Sequence, residues 1–88
     1  MKKAKHQILG IHITERLLHA LPVQQVLTEF GGNIKTRLGL HELNDKEAST
    51  GGILLVEFVG SDSRFHEFTD KLNAIEGVEA KQLVFDHT

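Results

Sequence analysis

Eighty-eight residues suffice for one domain with one core and not for two. The formal charge of −2 gives no electrostatic reason to bind a polyanion, so nucleic acid is not an expected direct partner. The absence of cysteine excludes a disulfide framework, an iron–sulfur cluster and thiolate zinc sites, and no apolar run approaches the ~20 residues of a membrane span.

The basic start Met1-Lys2-Lys3-Ala4-Lys5 is followed by a short apolar stretch broken by His12, so no signal peptide is expected and the cytoplasm is the default location. Residues 1–6 read as a solvated tail. Residues 7–13 are rich in β-branched and apolar types and predict a strand. Val23, Val26, Leu27 and Phe30 then fall on the stripe of an amphipathic helix. Proline is tolerated in a helix's first turn but not deeper, so Pro22 predicts a regular helix from about Leu21, with residues 15–20 as an irregular entry. Gly31-Gly32 predicts a left-handed stop. A second strand is expected over about 33–42, and the polar stretch from about 43 to 52 reads as a long, mobile hairpin loop.

Residues 53–60 are the clearest strand in the chain. Ser61, Asp62 and Ser63 offer helix caps, Phe65, Phe68, Leu72 and Ile75 share one helical face, and Gly77 closes that helix. The last strand covers about 78–86. The order strand, helix, strand, strand, helix, strand writes one βαβ unit twice over a single domain, residues 1–88. Right-handed crossovers leave room for one strand between each parallel pair. The expected fold class is therefore α+β, a ferredoxin-like βαββαβ sandwich. Its antiparallel sheet has the order 4-1-3-2, with both helices on one face.

Such a sheet should alternate apolar and polar residues along each strand. The strand at 53–60 does not: Leu54, Val56 and Phe58 make one face, while Ile53, Leu55 and Val59 make the other nearly as apolar. The strand at 7–13 carries Ile8 on one side and Leu9, Ile11 and Ile13 on the other. A large exposed apolar patch marks an interaction surface. Burying ~500 Å² of it at ~25 cal/mol per Å² is worth roughly 12 kcal/mol before association costs. The expectation is a homo-oligomer, a dimer or tetramer, joined through Ile53, Leu55, Val59, Leu9, Ile11 and Ile13.

Several stretches together resemble one family of small proteins. They are Ile8-Leu9-Gly10-Ile11-His12-Ile13, Val26-Leu27-Thr28-Glu29-Phe30-Gly31, Ile34-Lys35-Thr36-Arg37-Leu38-Gly39 and Leu72-Asn73-Ala74-Ile75-Glu76-Gly77-Val78. In that order and spacing, over about residues 7–86, they resemble the iron-only hydrogenase system regulators. That family is similar in fold to ACT domains and to the C-terminal domain of the nickel-responsive repressor. The resemblance implies a regulatory, oligomeric, non-enzymatic protein that binds a small effector or a metal. Two features depart from the related patterns. The segment after the first strand, Thr14-Glu15-Arg16-Leu17-Leu18, lacks the glycine that lets backbone approach an amino-acid ligand in ACT domains. Only about six residues precede the first strand, so transcriptional control would act through a protein partner.

Six histidines point to a transition metal as the alternative ligand, because imidazole is the commonest neutral metal ligand. His12 and His41 are expected at the same sheet edge, ~9–10 Å apart across two strand spacings, as candidate metal ligands that a neighbouring subunit would complete. His6 and His87 are expected near each other at the other end. Arg37, beside Gly39, is the candidate contact for an anionic effector, since guanidinium suits carboxylates. An acylphosphatase would need a glycine-rich cradle beside an arginine, plus a water-orienting asparagine; Arg16 has no such cradle, and Asn33 precedes the second strand. No enzyme activity is expected.

Overall fold

The computed structural model describes residues 4–14, 16–40 and 51–87. In chain order the elements are β1 (Ala4–Thr14), α1 (Arg16–Glu29), a 3₁₀ turn (Gly31–Asn33), β2 (Ile34–Leu40), β3 (Gly51–Phe58), α2 (Asp62–Asn73) and β4 (Val78–His87). The sheet runs β2-β3-β1-β4, which is β4-β1-β3-β2 from the opposite edge, and every neighbouring pair is antiparallel. The chain is thus an α+β protein with a four-stranded antiparallel sheet and two helices, compatible with a ferredoxin-like fold. No helix among the described residues is long and apolar enough to cross a membrane.

Both helices lie on one face. Val23, Leu27 and Phe30 of the α1 segment and Phe65, Phe68 and Leu72 of α2 share one core with Leu9, Ile11, Ile13, Val56, Phe58, Val78 and Ala80 of the sheet. Four of the five phenylalanines sit in that core. Phe68 lies 5.1 Å from Phe30 and from Phe58, centroid to centroid, and Phe58 lies 5.3 Å from Phe65. Offset and tilted rings at these distances gain about 0.5–1.5 kcal/mol per pair beyond their area. The Arg64 guanidinium covers the outer side of Phe30 at 4.1 Å.

The helix-facing side of β1 corrects the sequence expectation. Leu9 and Ile11 are fully buried and Ile13 nearly so, so these three face the helices and not the open side. The register explains it: Leu9 lies opposite Val56 and Ile11 opposite Leu54, and directly opposed residues share a face. A strand with three apolar residues on one side and one on the other turns the richer side to the core. For β1 that richer side is the one assigned to the interface from sequence.

Several boundaries also shift. Residues 4–6 are not tail but strand, paired with Phe85 to His87. Helix α1 starts at Arg16 and runs through Pro22, where the missing N–H forfeits the bond to the Leu18 carbonyl. One lost bond does not stop a helix whose stripe docks on a sheet. At its end the chain tightens into a 3₁₀ turn, without a left-handed glycine at Gly31 or Gly32. Helix α2 begins at the cap Ser61, whose Oγ accepts from the Arg64 N–H at 3.1 Å. It ends at Asn73, before Gly77; that glycine, at φ 81°, turns the chain into β4. Strand β3 takes in Gly51 and Gly52, which sequence placed in the loop, while residues 43–50 of that loop lie outside the described residues.

Candidate functional site

Alternation fixes what the other face of the sheet carries. Opposite the helices lie Leu38 of β2, Ile53, Leu55 and Glu57 of β3, His6, Ile8, Gly10 and His12 of β1, and Glu79, Lys81, Leu83 and Phe85 of β4. Leu38 (53 % exposed), Ile53 (44 %), Leu83 (53 %) and Phe85 (48 %) form the apolar part, with Leu55 and Ile8 half-buried between them. Neither helix covers this face.

Its charges are paired within the face. His6 Nδ1 lies 3.0 Å from Glu57 Oε2, and Lys81 Nζ lies 3.8 Å from Glu79 Oε2. The hydrogen bond from His6 holds the Glu57 carboxyl below its usual range; burial opposes this, and the positive charge of Lys35 assists it. The centre of the face is indented where Gly10 has no side chain. A dimple of about 260 Å³ opens there between Gly10, His12, Ile53, Glu79 and Lys81.

Of the residues expected at the interface, Ile53 and Leu55 are on this face. Val59 is 54 % exposed but lies one residue beyond the end of β3. Ile8, Leu38, Leu83 and Phe85 were not singled out. The signal for two of them was present, since Leu83 and Phe85 share one parity in β4 while Val78, Ala80, Gln82 and Val84 share the other.

Arg37 and Gly39 lie exposed on the edge strand β2, opposite Val56 and Leu54. His12 is exposed on the open face between Ile53 and Glu79, its opposite residues on the two neighbouring strands. Its expected companion His41 lies outside the described residues. Strand β4 brings His87 opposite Ala4, two positions from His6. Among the described residues no group of three or more His, Asp or Glu converges as a metal site would require. Asn33 is committed structurally: its Nδ2 donates to the Val59 carbonyl at 2.8 Å and its Oδ1 accepts from Arg64 Nε at 3.4 Å.

A second, more polar pocket of about 200 Å³ lies beside the first turn of α2. There Asp62 accepts from Lys5 Nζ at 2.9 Å and from the buried Gln7 Nε2 at 3.2 Å. Gln82 Nε2 donates to Thr69 Oγ1 at 2.9 Å. These groups hold one another, tying the first turn of α2 to β1 and its middle, at Thr69, to β4.

No protein-family model matches the chain, and no curated protein matches it. Among solved structures it is similar to an uncharacterized protein from Thermotoga maritima. The TM-score is 0.80 at 21 % identity, over 96 % of this chain and 99 % of that one. At that identity the likeness extends to the fold.

Proposed function

We propose that this chain is a non-enzymatic regulatory domain that self-associates through its open sheet face and senses a small effector. The observation that carries the reading is the apolar face itself. Leu38, Ile53, Leu83 and Phe85 stand in water around Leu55 and Ile8, on a side that neither helix covers. A small domain can ill spare that much apolar area, and contiguous patches of this kind mark contact surfaces. The paired charges support the same reading, because a face without excess charge does not repel its own copy.

The finer fold assignment is a ferredoxin-like βαββαβ sandwich, supported by the strand sequence and the shared helix face. Membership of the hydrogenase-system regulators rests on the sequence resemblance alone. The effector reading draws on Arg37, a cation exposed at the β2 edge where a carboxylate could be met bidentately.

Size-exclusion chromatography with light scattering at micromolar concentration, followed by native mass spectrometry, tests the assembly. A dimer or tetramer is expected, with any retained metabolite or metal seen as added mass. A species of 9.8 kDa at every concentration overturns the proposal.

A further inference from the structure

The two edges of the sheet are guarded unequally. Strand β2 carries Lys35 and Arg37, and its ladder with β3 shifts register between Ile34 and Thr36; charges and bulges of this kind deter a further strand. The ladder of β4 with β1 runs to His87 without a shift, and Gln82 to Asp86 include no lysine, arginine or proline. The Ala80 N–H and carbonyl point away from β1, to Asn73. Backbone direction alternates along a strand, so Gln82, Val84 and Asp86 turn theirs outward as well. No hydrogen bond among the described residues occupies those groups.

Leu83, Val84 and Phe85 are consecutive, and all three are exposed. Leu83 and Phe85 lie on the open face. Val84 lies on the helix side, past the bonds that α2 makes at Ala80 and Gln82. A run that is apolar on both sides belongs to the interior of a sheet, yet here it forms the margin.

We propose that β4 pairs antiparallel with β4 of a second copy, about a two-fold axis perpendicular to the sheet at Val84. One sheet then runs through both copies. Register follows from the three open residues. With Val84 on the axis, Val84 meets its own image and Gln82 meets Asp86 both ways, so every outward group finds a partner. Moving the axis one residue toward Leu83 sets Asp86 against Ala80, which Asn73 already occupies. The chosen register also places Leu83 directly beside Phe85 of the second copy, twice over, and such cross-strand pairs stabilise a sheet. No like charges stand directly opposite between Gln82 and Asp86. This contact lies at the edge and is separate from the face-to-face association proposed above. Its axis leaves both open faces on the same side, so two such pairs stacked face to face close as a tetramer.

Sedimentation of the full chain against an edge variant, Val84→Pro, and a face variant, Ile53→Lys, separates the two contacts. The Val84 N–H points outward, so proline removes no bond of the β1–β4 ladder and is tolerated on an edge. Val84→Lys repeats the test by setting like charges opposite each other. The wild type is expected to be a tetramer, and either Val84 variant to weaken the edge contact at least tenfold, leaving a face-joined dimer. Because the chain has no cysteine, introduced thiols read the register. Val84→Cys is expected to form a linked dimer on mild oxidation, since directly opposed, hydrogen-bonded residues lie about 5.5 Å apart. Gln82→Cys and Asp86→Cys should link when mixed and not alone, each lying about 13 Å along the strands from its own image.

A wild-type monomer at every concentration overturns both this pairing and the self-association reading. An assembly that Ile53→Lys breaks and the Val84 variants leave intact overturns the pairing alone. One that the Val84 variants break to monomer and Ile53→Lys leaves intact supports the pairing and overturns association through the face. Linking of Val84→Cys no faster than of Arg37→Cys, on the opposite edge, or no linking in the mixture, also overturns the pairing.

Discussion

Asn73 and Ala80 exchange two hydrogen bonds: Asn73 Nδ2 donates to the Ala80 carbonyl at 3.1 Å, and the Ala80 N–H donates to Asn73 Oδ1 at 2.7 Å. The last residue of α2 thereby occupies backbone groups of the edge strand β4. Unpaired groups on a sheet edge invite a further strand, and a side-chain amide that satisfies both closes this part of the edge. Asn73→Ala should cost about 1–3 kcal/mol, read from urea denaturation, because it leaves the Ala80 groups without partners. A loss below about 0.5 kcal/mol, the usual range of a surface substitution, would show that water replaces the amide.

Stability and assembly should separate cleanly at two phenylalanines. Phe68 is fully buried between Phe30 and Phe58, so Phe68→Ala leaves a cavity and should cost about 3–5 kcal/mol. Phe85 is half-exposed on the other side of the sheet, and Phe85→Ala should change the unfolding free energy of the monomer by less than about 1 kcal/mol. Denaturation under dilute, dissociating conditions makes the comparison; similar losses for both would place Phe85 in the core network.

Gly60 marks a close approach between the end of β3 and the turn before β2. A Cβ there would come within 2.8 Å of Asn33 Nδ2 and 3.1 Å of a Phe58 ring carbon. Asn33 cannot yield freely, because its backbone carbonyl also accepts from the Val59 N–H at 2.6 Å. Gly60→Ala should therefore destabilise by about 1–3 kcal/mol, lowering the thermal midpoint by several degrees. An unchanged midpoint would show that the junction opens without cost.

Acid should weaken the fold through two carboxylates. The hydrogen bond from Lys5 holds Asp62 below its ordinary value near 3.8, and the bond from His6 holds Glu57 below its ordinary value near 4.5. Both are depressed in the folded state, so their contribution is present above those ordinary values and lost as pH falls through the lower folded ones. Lys5 behaves oppositely. Its bond to Asp62 raises it above 10.5, so its contribution is complete below that value and lost as the solution becomes more alkaline than its folded value. Urea midpoints at pH 7 and pH 3 should converge for the Asp62→Asn, Glu57→Gln double variant more than for the wild type. Equal pH dependence in the two proteins would refute the assignment.

The elements were readable where periodicity was strong. Phe65, Phe68 and Leu72 announced the buried face of α2, and Ser61 its start. The two-sided apolar character of β3 announced an open face, and Ile53 and Leu55 are on it. The sidedness of β1 was not readable, because alternation separates two faces without saying which one meets the helices; the pairings with β3 and β4 decide that. The roles of Asn33 and Asn73 were equally hidden. Their partners Val59, Arg64 and Ala80 are reached through tertiary folding, and an asparagine beside a turn looks alike whether its amide is committed or free.

The ring stack of Phe30, Phe58, Phe65 and Phe68 joins the end of α1, the third strand and the second helix into one cooperative block. Backbone amides beneath it, in β1 and β3, should be the last to take up deuterium, since exposing them requires parting all four rings. Those of the outer strand β2, which is anchored only from one side, should exchange through smaller openings long before the molecule comes apart.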